Sequence, residues 1–526
     1  MDIKRLTPAF GTAPQLTPHD VEQAAREGFR AIICNRPDGE EDGQPTAADI
    51  SAVARAAGLA FAHIPVTPGA MTDADAQAMR HALDTLPGPV LGYCRSGARA
   101  EKLAAMADAL VAGQDAAHYD ILIIGGGSAG IATAASILKR RRGIRLAIIE
   151  PSDDHYYQPG WTMVGAGVFD SGFTRRSEAH LIPSGATWIK GAANSFLPDD
   201  KQVLLDDGRW IGYGVLIVCP GIKLDWNAIP GLADALGHDG VTSNYRYDLA
   251  PYTHRLAKAF KGGRALFTQP PMPIKCAGAP QKAMYLSCHR WEKAGVLAHS
   301  DVQFHTAGPA LFGVAAYVPA LMDYVDRYGI HLNFGSKLVE IDGPAKTAIF
   351  EQADGDGVRR VAERYDMIHV VPPQVAPDFI RNSLLAAPSG FVAVDEATLR
   401  HPRYPDIFAL GDACSASNAK TMAAARKQAP VVAVNALAAL DGQPPVAAYD
   451  GYGSCPLTVE AGKIVLAEFG YGGKLMPSFP NWLIDGTRPS RLSWLLKDTI
   501  LPPVYWHGML KGREWMVKPQ PIGSQS

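Results

Sequence analysis

Short apolar runs alternate with longer stretches of helical spacing through the first hundred residues. RAIIC (30–34), FAHIPV (61–66) and PVLGY (89–93) are apolar runs of strand length. Between them, PTAADISAVARAAG (45–58), TDADAQAMRHALDTL (72–86) and ARAEKLAAMADALVAG (98–113) place apolar residues three and four apart, the repeat of a one-sided helix. Thr72 stands where an N-cap belongs and Gly113 where a helix stops. The pattern predicts a small α/β domain over 1–112, closed by the polar stretch GQDAAH (113–118). A strand then opens YDILIIGGGSAGIATAASILKRR (119–141), followed by an Ala-rich helix and a second strand, RLAIIEP (145–151). Much later, IFALGD (407–412) is a strand that leads into the helix AKTMAAARKQAPVVAVNALAAL (419–440).

Composition narrows this only a little. A chain of 526 residues is too long for one core, which predicts several domains. The formal net charge of −2 and the lack of a basic run give no reason to expect nucleic acid as a partner. The start, MDIKRLTPAF, lacks the apolar core of a signal peptide, and no apolar run is long enough to cross a bilayer. The expected location is the cytoplasm, peripheral on the inner face of the cytoplasmic membrane. The seven cysteines are scattered without a C-x-x-C pair, which favours thiol chemistry over a metal site or a disulfide framework.

Gly125, Gly127 and Gly130 form a G-x-G-x-x-G between strand and helix, and Glu150 ends the next strand at the spacing of a dinucleotide fingerprint. The glycines let a pyrophosphate approach the backbone, Ser128 and Ala129 open the helix that faces it, and Glu150 accepts from a ribose hydroxyl. The fingerprint alone does not separate FAD from NAD. The Gly411–Asp412 pair does, because flavoproteins with two dinucleotide folds place such a pair beside the flavin ribityl chain. FAD is therefore the expected cofactor. The halves of its domain, 118–239 and 366–450, flank a second Rossmann-like domain at 240–365. There, RALFTQPPMPIKCAGAPQKAMYLSCHRW (264–291) puts prolines where a phosphate-binding turn would need N–H donors. The electrons are thus not expected to come from NAD(P)H, although an NAD(P)H:quinone reductase of the same fold is the alternative.

Two thiols stand out. Cys276 lies between Lys275 and a small-residue turn before a helix, a setting that favours thiolate. Cys414 lies two residues past Asp412, which predicts that it lies near the flavin. Together they suggest a dithiol/disulfide site. Cys219, Cys288 and Cys455 read as structural.

Four strings, HYYQPGWTMVGAG (155–167), PPMPIKCAGAPQKAMYLS (270–287), GDACSASNAKTMAAARKQAPVVA (411–433) and YDGYGSCPLTVEAGKIVLAEF (449–469), resemble sulfide:quinone oxidoreductase. The resemblance runs from about 118 to 515. It implies that two cysteines flank the flavin, that sulfide opens their disulfide, and that electrons pass through FAD to a quinone. It makes Cys276 the persulfide-bearing cysteine, puts Gln158 among the flavin contacts, and places Lys420 where it stabilises reduced flavin. One departure concerns the second cysteine. In the mitochondrial branch it directly follows Gly-Asp, whereas here Ala413 holds that position and Cys414 comes one place later.

The last region, 451–526, contains RPSRLSWLLKDTILPPVYWHGMLKGREWMVKP (488–519), where Leu492, Trp494, Leu495, Leu496, Ile500 and Leu501 form an apolar stripe edged by Lys and Arg. Pro502–Pro503 is expected to split it into two short helices. Such a segment suits a membrane surface and a quinone dock. The alternative is packing on the protein's own surface, or at a contact in a homo-oligomer.

Cys94 opens C-R-S-G-A-R, which ends at Arg99. The spacing fits the C-x-x-G-x-R loop of rhodanese-type sulfurtransferases rather than the longer loop of cysteine phosphatases. A strand before it and a helix after it favour a thiolate. IICNRPDGEEDGQP (32–45), in contrast, resembles a protein-phosphatase-like module, in which Asp38 would be the general acid. The fold class expected overall is α/β: a phosphatase/rhodanese-like domain, two Rossmann-like FAD/NAD(P)-type domains and a C-terminal amphipathic segment. Fusion to a sulfide-oxidising unit favours Cys94 as a carrier that passes sulfane sulfur to a small thiol, sulfite or cyanide. A phosphatase governed by flavin state is the alternative.

Overall fold

The computed structural model describes residues 3–67, 69–112, 117–354 and 357–523. Of the expected boundary stretch, residues 113–116 lie outside these. The chain divides into two compact units: 1–122 with 191–214 and 378–390, and 123–190 with 215–377 and 391–526.

The first unit is built on a five-stranded sheet in the order Lys4–Arg5, Phe10–Ala13, Val90–Tyr93, Ala31–Cys34, Ala60–His63. All neighbours are parallel except the first pair. The apolar runs at 31–34 and 90–93 are buried throughout, as central strands covered on both faces must be. The helices Pro18–Arg26, Ala47–Ala56 and Asp73–Thr85 each begin at a threonine whose hydroxyl accepts an N–H three residues on, while the aspartate there reaches back. Thr72 is one of these caps, as its sequence context predicts. Leu197, Leu204 and Trp210, from the later segment, pack into the same core as Leu103, Met79 and Ile33.

The second unit carries two α/β layers. One sheet brings together Ala186–Ile189, Leu146–Ile149, the end of Ala117–Ile124, the end of Trp210–Val218, and Ile407–Ala409. The outer pairs are parallel. Helix Ser128–Arg140 follows the glycine turn, and helix Met422–Leu440 follows the returning strand. The other sheet runs Val241–Thr242, Met367–His369, Gly263–Gln269, Ser300–Thr306, His331–Phe334, all parallel. The hairpin Gly453–Glu460 with Lys463–Phe469 sends Cys455, Leu457 and Val459 into the core of this second layer.

The C-terminal segment departs from expectation. Pro502 and Pro503 do not split it. The chain stays helical from Arg491 to Lys511, with wide π-type turns at Leu496–Ile500 and Val504–Gly508. A proline ring clashes with the carbonyl four residues back in an α-turn and donates no hydrogen bond. Widening the turns relieves both problems without ending the helix. Among the described residues no helix is long and apolar enough to cross a membrane.

Candidate active site

A cavity of 610 Å³ runs through the second unit, and both the glycine turn and the C-terminal helix line it. The turn is built for close approach. Gly125 has φ +103°, and a Cβ on Gly130 would lie 1.9 Å from the Gly125 carbonyl oxygen. Gly127 caps helix Ser128–Arg140 without a side chain, which leaves its first N–H groups facing the cavity. Glu150 accepts from the Gly126 N–H at 2.8 Å and the Ser152 N–H at 2.9 Å, which holds its carboxylate beside the turn. Gly411, at φ +68°, donates its N–H to Gln428, and this sets Asp412 at the cavity wall. Burial raises the Asp412 carboxyl, against the pull of Lys420 and Lys275. A glycine turn that a Cβ would block, an open helix N-terminus and an acid at the next strand end fit the pyrophosphate and ribose of FAD.

Other expected contacts also line this space. Gln158 accepts from Lys275 Nζ at 2.7 Å. Lys420 Nζ lies over the Phe391 ring and donates to the Cys414 carbonyl at 2.8 Å. Ser128 shares a 2.6 Å hydrogen bond with Tyr505, whose hydroxyl also meets His155. The C-terminal segment thus folds back onto the helix that faces the expected pyrophosphate.

Cys276 lines the cavity from the proline-rich loop, at φ +51°. Its N–H donates to the Lys420 carbonyl at 2.7 Å, and its carbonyl accepts from Ala279 at the start of helix Ala279–Lys293. That helix N-terminus holds the cysteine's own loop, where a second phosphate turn would have stood. The thiol meets Cys455, and it accepts from Lys282 Nζ at 3.0 Å. It is held well below the ordinary cysteine range, first by the hydrogen bond from Cys455 and then by Lys282, with burial opposing. The lysine at work is thus Lys282, one turn into the helix, and not the adjacent Lys275, which points to Gln158. Lys497, buried and also in the cavity lining, is pushed down to about 7 by burial and then by Lys282.

Cys414 is fully buried, and its thiol donates to the Gly411 carbonyl. Burial raises it above its ordinary value. It is absent from the cavity lining, whereas Asp412 and Lys420 on either side are present. The sequence reads Cys455 as structural and gives Lys282 and Lys497 no role in the site. Each lies in a core-like apolar context, and no local pattern marks a residue whose partner is far along the chain.

In the first unit, Gly97 at φ +87° donates its N–H to the Cys94 sulfur at 3.2 Å, within the turn that opens helix Ala98–Ala112. Cys94 is fully buried. Arg99 donates to the Val66 carbonyl at 2.6 Å and to Glu40 at 2.7 Å. Asp38 accepts from the Ala47 N–H at 2.7 Å, at the start of helix Ala47–Ala56.

Comparison with known proteins decides the family. The chain is 41% identical over 401 residues to "Sulfide:quinone oxidoreductase, mitochondrial" of Dictyostelium discoideum, a match that covers 76% of this chain and 87% of that protein. The chain belongs to the sulfide:quinone oxidoreductase family. The mouse protein of the same name is 38% identical over 396 residues, covering 75% of this chain and 87% of its own length. The structure of the sulfide:quinone oxidoreductase from Aquifex aeolicus superposes with a TM-score of 0.64 at 18% identity, over 78% of this chain and 98% of that one, and shares the fold. Residues 2–111 match the family described as "Beta-lactamase hydrolase-like protein, phosphatase-like domain". Over 86 residues they are 46% identical to the Xylella fastidiosa "Beta-lactamase hydrolase-like protein", 16% of this chain and 20% of that relative. In this chain one cavity is lined both by the cysteine of the KCAGAP string and by the dinucleotide turn.

Proposed function

We propose that the chain oxidises hydrosulfide at Cys276, uses FAD, and passes the electrons to a membrane quinone. The observation that carries this reading is the position of Cys276: a thiol held well below the ordinary cysteine range faces the same cavity as the flavin cradle. When bound, FAD supplies the two-electron acceptor. The protein's part is to hold the thiolate, supply cations around it, and exclude water. Lys282 stabilises charge on the Cys276 sulfur. Lys420 and Lys275 place positive charge near Asp412, which would stabilise a reduced, anionic flavin held in this cavity. Leu496, Ile500, Leu501 and Val504 form an apolar stretch of lining that suits a quinone ring and tail. Leu492 and Leu495 are each 48% exposed, Ile500 45% and Trp482 84%. They support peripheral docking on a bilayer face, the cytoplasmic membrane of the host cell.

Purified protein mixed with sulfide and a short-chain quinone is expected to bleach the quinone, and Cys276→Ser to lose that activity. Full activity in Cys276→Ser, or none in the wild type, sinks the proposal. Rapid flavin bleaching by NADH would instead support the NAD(P)H:quinone reductase reading.

For the first unit we propose sulfane-sulfur transfer through Cys94 to a small thiol, sulfite or cyanide. Two contacts favour this over phosphate-ester hydrolysis. Arg99 is already paired with Glu40, and Asp38 caps a helix instead of standing free as a general acid. The Gly97 N–H and the helix start address the sulfur itself. Thiosulfate:cyanide transfer by the full chain should vanish in Cys94→Ser. Phosphate-ester turnover that depends on flavin state would replace this reading.

A further inference from the structure

In the first unit, two arginines share one carboxylate. Arg36 Nε and Arg99 Nη2 each donate to Glu40 Oε2 at 2.7 Å. The parallel strands Ala31–Cys34, Ala60–His63 and Val90–Tyr93 end side by side, and Arg36, Val66 and Cys94 stand just past those ends. Carboxyl ends of parallel strands are where α/β sheets take ligands. The Asn35 N–H donates to the Tyr93 carbonyl at 2.8 Å, which keeps Arg36 beside the strand that leads to Cys94. Gln15 ties Arg36 to the Cys94 loop: its N–H donates to the Arg95 carbonyl, and its Oε1 accepts from Arg36 Nη1 at 2.8 Å. Arg36 is buried, and the side chains of Arg99 and Glu40 are 11% and 16% exposed. The hydrogen bond from Arg99 holds the Glu40 carboxyl below its ordinary value, against burial, so it stays charged at neutral pH. Glu40 Oε1 is buried and accepts no hydrogen bond among the described residues. A carboxylate with one oxygen left unsatisfied is a poor structural clamp, because that oxygen gives up its water for nothing.

We propose that Arg36 and Arg99 form a small-oxyanion site beside the Cys94 loop and that Glu40 is its built-in competitor. The inference rests on the sulfur-transfer reading of Cys94 and deepens it by setting the class of sulfur donor. Two guanidinium forks converging on one oxygen are a geometry that binds sulfur and phosphorus oxyanions. Glu40 fills that geometry from the loop 37–45, and a tethered carboxylate competes at high effective concentration. Thiosulfate, sulfite and inorganic phosphate enter only by displacing it. A persulfide carries no oxygen and needs neither arginine, so the same carboxylate does not oppose it. Glu40 thus turns the loop towards persulfide sulfur and away from free oxyanions. With thiosulfate as donor, the Cys94 sulfur attacks the outer sulfur, the S–S bond of thiosulfate breaks, and sulfite leaves with the electron pair. Cyanide then attacks the outer sulfur of the Cys94 persulfide, departs as thiocyanate and returns the thiolate. Electrons balance without an oxidant. Only the first step brings an oxyanion to the arginines, so Glu40 acts on the donor and not on the cyanide.

The test is thiosulfate:cyanide transfer by the full-length protein, with the two substrates varied separately. Glu40→Gln should lower the KM for thiosulfate about tenfold or more, the worth of a hydrogen bond to a charged group, and leave the KM for cyanide unchanged. Inorganic phosphate should inhibit that variant competitively against thiosulfate, at a concentration lower by about the same factor. Glu40→Asp keeps the ion pair and draws the charge back, so it should shift the thiosulfate KM in the same direction by less, and it serves if the Gln variant does not fold. Asp42→Asn removes a charge from an exposed position on the same loop and should stay near wild type. A thiosulfate KM that does not move in Glu40→Gln, or that falls equally in Asp42→Asn, overturns the proposal. If transfer needs Cys94 while Glu40→Gln changes nothing, the transfer reading stands and the competitor falls. If transfer survives in Cys94→Ser, the transfer reading falls, and calorimetric titration with inorganic phosphate still decides the competitor: tighter binding by Glu40→Gln than by wild type supports it, and equal binding removes it. Phosphate binding that tightens while the thiosulfate KM stays put assigns the arginines to phosphate and overturns the sulfur-donor claim.

Discussion

Cys276 adopts a left-handed backbone conformation that costs a non-glycine residue about 1–2 kcal/mol. Five local ties hold it there: its N–H to Lys420, its carbonyl to Ala279 and to the Tyr245 hydroxyl, and its sulfur to Lys282 and Cys455. Strain kept in place by surrounding contacts is a mark of working residues. Lys497 shows the same cost in charge. An ordinary lysine titrates near 10.5, but burial pushes this one down to about 7. Between those values the unfolded chain holds a proton that the folded chain has released. Stability from this group therefore rises with pH from about 7 to about 10.5 and is lowest below 7. Lys497→Met should raise the thermal midpoint at pH 6, with the gain shrinking towards pH 10. Thermal unfolding across that range reads it, and an equal gain at both ends would mean that Lys497 is not the titrating group.

At the scale of elements, the dinucleotide turn is the part most dependent on shape. Gly130 has only 1.9 Å between a would-be Cβ and the Gly125 carbonyl, and both partners are backbone. Gly130→Ala must push strand and helix apart, at about 1–3 kcal/mol by the usual cost of overpacking. The expected result is a folded protein that purifies with a small fraction of the wild-type flavin, measured as flavin absorbance per chain. Wild-type flavin content in that variant would separate the turn from the cofactor. The C-terminal helix makes a different point. Its prolines suggested a break, and the π-type turns kept it continuous. Lys497 sits in the first of these turns and lines the cavity.

At the scale of the whole molecule, the C-terminal segment divides its faces. Tyr505, Trp506, Met509 and Leu510 are buried, whereas Leu492, Leu495 and Ile500 stand out to solvent. Packing on the protein's own surface and a free apolar face were rival readings of the sequence, and the segment contains both. Removing two exposed leucines from a bilayer forfeits about 1.5–3 kcal/mol each. Leu492→Asp with Leu495→Asp should therefore weaken liposome binding by roughly a hundredfold or more, since 1.4 kcal/mol is a factor of ten. Turnover with a water-soluble quinone should survive. Unchanged liposome co-sedimentation would show that another surface meets the membrane.

The sequence by itself determined the α/β class, the dinucleotide turn with Glu150, the Gly-Asp return and the Thr72 cap. Each is a local rule, complete within one strand, turn or helix. It also marked Cys276, because a thiol between a proline-rich loop and a helix start is unusual without reference to anything else. Tertiary structure alone decided what Cys276 meets. Cys455 lies on an ordinary strand, in step with Leu457 and Val459, and periodicity reads all three as core. Only when the hairpin packs against the loop and helix of Cys276 does one of those core positions become a thiol against a thiol. Lys282 and Lys497 follow the same logic. Their charges become chemistry because the fold removes water around them, and the exclusion of water belongs to the packed molecule, not to any stretch of chain.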